Sequence, residues 1–172
     1  WMENKGFLIG CIAVLLVVVA GYQSLRIFKS HSEIALQAEY AEANASEGLV
    51  DFAKANSNKA LGGFAALSTA DTAYTAEDFE KALEFYNMAA AALAQPTLAG
   101  RAQLGQAFAL YQTGSTDEGL AKLNAITADS SLAEAARAEA AYHLAVEADT
   151  AGRSAEFESF AAQINDSPLA GQ

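Results

Sequence analysis

Hydrophobic residues are distributed along this chain in two different ways. From Gly6 to Leu25, GFLIGCIAVLLVVVAGYQSL, they run almost without interruption for twenty residues, with no charge and two clearly polar side chains, Gln23 and Ser24. A helix of that length, at about 1.5 Å per residue, reaches about 30 Å, the hydrocarbon thickness of a bilayer, so the run predicts a transmembrane helix over 6–25. It exceeds the roughly 7–15 apolar residues of a secretory signal peptide, although Val18 and Ala20 would form a tolerable cleavage site; a helix packed in the core of a filament is the third reading. After residue 34 the pattern changes to amphipathic, alanine-rich stretches, and no segment alternates apolar and polar positions as a half-buried strand does.

The expected fold is therefore all-α. Alanine, the best helix former because it loses no side-chain entropy, occurs 41 times, and the prolines are confined to Pro96 and Pro168. Residues 30–45 are expected to continue the first helix outward, with Ser46 capping a short helix, GLVDFAKA, that ends at the turn Asn56-Ser57-Asn58. Further helices are expected near 59–75, 77–94, 97–113, 116–128, 131–151 and 154–164. The connectors between them are short, which favours antiparallel neighbours and hence stacked hairpins. The predicted division is a short flank over 1–5, the transmembrane helix over 6–25, juxtamembrane helices over 26–57, a helical repeat domain over 58–164 and a tail over 165–172.

Three segments repeat one another: AALSTADTAYTAEDFEKALEFYNMA (65–89), QLGQAFALYQTGSTDEGLAKLNAI (103–126) and AAYHLAVEADTAGRSAEFESFAAQI (140–164). In each, a first helix ends before a turn centred on Glu77, Gly114 or Gly152, at spacings of 37 and 38. The small residues Ala70, Ala107 and Ala145 fall seven positions before those turns, and Ala82, Gly119 and Phe157 five after. Small residues at these two points let the helices of a hairpin cross closely, the logic of the tetratricopeptide repeat, whose usual period is about 34. Bulky Phe157 breaks the pattern in the third repeat.

Charge narrows the partners. From residue 30 onward seven Lys/Arg stand against twenty Asp/Glu, without a basic cluster, so binding to nucleic acid or anionic lipid through this part is not expected. The one cysteine, Cys11, lies in the apolar run, which rules out an intramolecular disulfide. Catalytic inventory is poor. His31 and His143 are far apart without metal-ligand spacing around them, and no GxSxG, P-loop or GxGxxG motif occurs. Glu77, Asp78, Glu80 and Glu84 fall in the first turns of a helix, where the helix dipole favours negative charge. No enzyme, cofactor, metal or small-molecule substrate is expected.

With this repeat register, the first-helix positions that face the inner curve of the stack are Leu67, Asp71 and Tyr74, then Arg101, Leu104, Phe108, Tyr111 and Gln112, then Glu139, Tyr142 and Val146. The expected partner-binding groove consists of Tyr74, Arg101, Leu104, Phe108, Tyr111, Gln112 and Tyr142, with the aromatics as binding hot spots and plain helix packing as the alternative use of the same side chains. Apart from Arg101 the charges are acidic, which suits an apolar or basic partner segment. In the apolar run, Gly6, Gly10 and Ala13 lie about one turn apart and form an expected contact face for another transmembrane helix.

An apolar anchor, the juxtamembrane stretch KSHSEIALQAEYAEA, the lead-in DFAKANSNKALGGFAALSTA and the repeat segments AEDFEKALEFYNMAAAAL and AQLGQAFALYQTGSTDEGLAKLNAI occur here in that order. This order, over about residues 6–165, resembles YfgM-like proteins, an ancillary subunit family of the bacterial SecYEG translocon. The resemblance implies a single-pass protein of the bacterial inner membrane with its repeat domain in the periplasm. It also implies partners, SecYEG and a membrane-anchored periplasmic chaperone of the PpiD type. The expected function is then non-catalytic: a translocon accessory that docks a chaperone or an emerging secretory chain. The rival expectation is a self-assembling structural subunit packed through its N-terminal apolar helix, as in pilins, although Lys5 stands where a pilin carries an acidic residue.

Overall fold

A computed structural model describes residues 32–165. Among these residues every regular element is an α-helix. Helix α1 is described over 32–45 and is followed by α2 (Leu49–Ala55), α3 (Ala60–Thr75), α4 (Phe79–Ala92), α5 (Pro96–Gln112), α6 (Thr116–Ala128), α7 (Glu134–Thr150) and α8 (Ser154–Asn165). The chain divides into two compact units, one up to Glu42 and one from Ala43 onward.

The fold class requires a correction. Among the described residues no helix is long and apolar enough to cross a membrane. The longest in the second unit, α5 and α7, have 17 residues each and span about 25 Å, and α5 carries one charged side chain, Arg101, where α7 carries several. The described architecture is thus all-α helical, and none of its helices is the transmembrane helix expected to precede the hairpins. The expected span over 6–25, its contact residues Gly6, Gly10 and Ala13, and the flank over 1–5 lie outside the described residues.

Within the second unit the helices pack in chain order, each against the next, while α3 also touches α5 and α5 touches α7. One turn closes the first helix of each hairpin. Glu77 (φ 61°), Gly114 (φ 87°) and Gly152 (φ 69°) are left-handed, and in each case the following amide donates to a carbonyl five residues back: Asp78 to Ala73, Ser115 to Leu110 and Arg153 to Ala148. This is the Schellman arrangement, which satisfies carbonyls that the helix end leaves open. Glu47 (φ 60°) forms a fourth copy, with the Gly48 amide on the Ala43 carbonyl. That turn displaces the expected cap: α2 starts after Gly48 without a side-chain cap, not after Ser46.

Local chemistry sets the other boundaries. The Asp78 carboxylate accepts from the Lys81 amide (3.2 Å) and starts α4 two residues later than expected. Gln95 accepts from the Leu98 amide (2.9 Å) ahead of Pro96, whose missing N–H falls where a helix start has no use for one. Helix α7 starts at Glu134 and not near 131, because Asp129 Oδ1 accepts from both the amide (2.9 Å) and hydroxyl (2.6 Å) of Ser131 and holds a turn there. These two bonds also keep the Asp129 carboxyl below its ordinary pKa.

Alanine dominates the interior: among the described residues 17 of the 27 buried hydrophobic residues are alanines, so helices approach closely and larger side chains fill the gaps between crossings. Phe85 and Ile126 are the largest fully buried side chains. Ala70, Ala107 and Ala145 are all buried, as are Ala82 and Gly119. A Cβ on Gly119 would lie 2.9 Å from the Ala107 carbonyl oxygen, which marks the crossing of α5 and α6. Phe157, at the corresponding place in the third hairpin, is 39% exposed, and α8 packs chiefly against α7.

Candidate partner-binding groove

Because α3, α5 and α7 lie in succession, side chains on their shared side form one surface, and two depressions of about 370 Å³ each open on it. The first is lined by Asp71, Tyr86, Arg101, Leu104, Phe108 and Glu139, together with the start of α7. Tyr74, Phe108, Tyr111, Gln112, His143, Val146 and Glu147 line the second, over Leu120 and Leu123 from α6. Phe108 belongs to both and stands between them. Its ring meets His143 edge-on at 4.6 Å.

A polar linkage fixes one wall of the first depression. Asp71 accepts from the Tyr86 hydroxyl (2.8 Å) with one carboxylate oxygen and pairs with Arg101 through the other. Helices α3, α4 and α5 are thereby joined at one point. Tyr86 is 5% exposed and its ring lies over Gly105, where any Cβ would coincide with ring carbons. Burial first, and the hydrogen bond to Asp71 second, push the Tyr86 phenol well above its ordinary pKa. The Arg101 side chain remains 62% exposed and keeps donors available on the outside of the pair.

The expected groove residues are not equivalent. Leu104 (6% exposed) and Leu67 (3%) belong to the core, with Leu104 forming the floor of the first depression. Phe108 is half-buried against the cluster that contains Leu123, Ile126 and Leu144. Tyr74 is half-buried, edge-on to Phe79 at 5.2 Å and to Tyr86 at 6.4 Å. Tyr111 (43% exposed), Tyr142 (56%) and Val146 (48%) are the large side chains offered to a visitor. Tyr142 lines neither depression and stands beside the second, edge-on to His143 at 5.6 Å.

Sequence reasoning missed His143, Tyr86, Gly105 and Glu147. His143 has no metal-ligand spacing around it in the sequence, and only the fold sets it in the second depression, edge-on to both Phe108 and Tyr142. Tyr86 comes from a second helix of a hairpin and reaches the surface only because Gly105 opens a path, a relation between distant residues that no spacing displays. Among the described residues no group of three His, Cys, Asp or Glu could hold a metal ion. The geometry is suited to contact: aromatic faces, an exposed guanidinium and carboxylates around two open depressions.

No protein-family model matches the chain, and no match was found among curated proteins or solved structures. The resemblance to YfgM-like proteins accordingly rests on the order and spacing of segments alone.

Proposed function

We propose that this domain is a non-catalytic binding module that holds a segment of another protein across the α3, α5 and α7 side of its helical hairpins. The observation that carries the reading is the cluster Tyr111, Tyr142 and Val146, each more than 40% exposed, beside two depressions in an otherwise alanine-packed molecule. Large amphipathic side chains that stay in solvent while alanines fill the core are the kind that anchor interfaces, because they bury much area and lose little entropy.

The test is site-specific photocrosslinking in cells that express the chain, with the crosslinker at Val146 and, as a control, at Glu118 on α6. Discrete protein adducts from Val146 and none from Glu118 are expected. Tyr111→Ala combined with Tyr142→Ala should abolish those adducts while keeping helicity and lowering the melting temperature by only a few degrees, since both side chains are about half exposed. Persistence of the adducts in that variant would refute the reading. Replacing Phe108 is a poorer probe, for its ring also packs on the core. Identification of the adducts by mass spectrometry tests the narrower role in the same experiment: SecYEG subunits or a PpiD-type chaperone would mark a translocon accessory.

A further inference from the structure

We infer that the segment this surface takes is apolar with a cationic side chain on either side, held by Glu139 and Glu147. The inference rests on the reading of the α3, α5 and α7 side as a binding surface and specifies its occupant. Each depression contains one α7 carboxylate, Glu139 in the first and Glu147 in the second, and neither has an ion-pair partner among the described residues. The third carboxylate there, Asp71, is already matched by Arg101 and Tyr86. Nothing comparable neutralises the other two.

Eight residues separate Glu139 from Glu147, a rise of about 12 Å along the helix. An extended peptide advances about 3.4 Å per residue, so cations four residues apart match that separation. Between the two carboxylates lie Tyr142, His143 and Val146, with Phe108 opposite on α5, an apolar stretch that suits the residues between the two cations. The wider field acts in the same sense. Residues 32–165 carry nineteen Asp/Glu and seven Lys/Arg, so an acidic segment is repelled on approach and a basic one is drawn in.

The test titrates the full chain into three peptides bearing one neutral fluorophore, GKLFLKG, GQLFLQG and GELFLEG, and reads anisotropy. The lysine peptide should bind about fivefold or more tightly than the glutamine peptide at low salt, with the glutamate peptide weakest, and the advantage should shrink toward unity as salt screens it. Glu139→Gln with Glu147→Gln should remove most of the lysine peptide's advantage, leaving the part that the wider field supplies, and should leave the glutamine peptide unchanged. Equal binding of the lysine and glutamine peptides, or a double variant without effect, overturns the cationic occupant. If in that case Tyr111→Ala with Tyr142→Ala still abolishes binding, the surface stands with a different occupant; if it does not, the proposed binding surface falls too. Absence of binding by all three peptides up to about 1 mM overturns the inference as well.

Discussion

Glu77 and Gly114 occupy the same place in two copies of one turn, and exchanging their residue types gives opposite, calculable results. At Glu77 the backbone sits at φ 61°, where an L side chain costs about 1–2 kcal/mol relative to its ordinary conformations. The Glu77 carboxylate forms no ion pair or side-chain hydrogen bond among the described residues, so Glu77→Gly removes strain without removing a contact. Glycine returns part of that gain, because its unfolded chain is freer by about 0.5–1 kcal/mol. The expected net effect is a stabilisation of about 0.5–1 kcal/mol. At Gly114 a Cβ would meet nothing within 4 Å, which removes any steric contribution and leaves the φ of 87° as the sole cost. Gly114→Ala should therefore destabilise by a similar amount, about 0.5–1 kcal/mol. Urea unfolding followed by circular dichroism reads both as shifts of midpoint in opposite directions at constant m-value, and thermal melts as shifts of about 2–5 °C. A Glu77→Gly protein no more stable than the parent would refute the argument, since it would mean that the left-handed turn carries no strain.

Other outcomes follow from particular contacts. Gly62→Ala should destabilise by about 1–3 kcal/mol despite alanine's better helix propensity, because the new Cβ would coincide with the Asn56 carbonyl in the turn between α2 and α3; denaturant titration reads it. Ile126→Ala, at a fully buried site, should cost about 2–5 kcal/mol in the same assay. The raised pKa of Tyr86 means that its contribution is complete below about pH 10, where an unfolded tyrosine ionises, and is lost as the pH rises beyond that value. Stability should thus fall above pH 10, and Tyr86→Phe should flatten that fall while costing about 1–2 kcal/mol at neutral pH through loss of the bond to Asp71. Ultraviolet titration of the folded chain should show one phenol that ionises later than the rest and is absent in Tyr86→Phe.

Much of the helical framework was legible because it depends on local rules. Alanine content, Pro96 and the connectors at Gly114 and Gly152 marked helix ends to within a few residues, and the turn at Glu77 fell where repeat spacing placed it. The misplaced starts at α4 and α7 came from local side-chain bonds, the Asp78 cap of α4 and the Asp129 turn ahead of α7, that compete with the helix for backbone amides. Less of the candidate groove was legible. The register brought Arg101, Leu104, Phe108, Tyr111 and Gln112 to one side of α5, but one helix face does not distinguish a buried leucine from an exposed tyrosine.

The sequence by itself determined the all-helical class, the recurring turn and the small residues at the helix crossings, because propensity, φ preference and Cβ size act within a few residues of where they are written. Only the tertiary structure decided which of the inward-facing side chains became core and which stayed in solvent. Leu104 and Tyr111 lie seven residues apart on one helix, and their fates differ because Leu104 falls into the cluster with Leu123, Ile126 and Leu144 of α6 and α7, while Tyr111 lines the second depression and stays 43% exposed. Exposure depends on the neighbours that packing brings together, and those neighbours are far away along the chain.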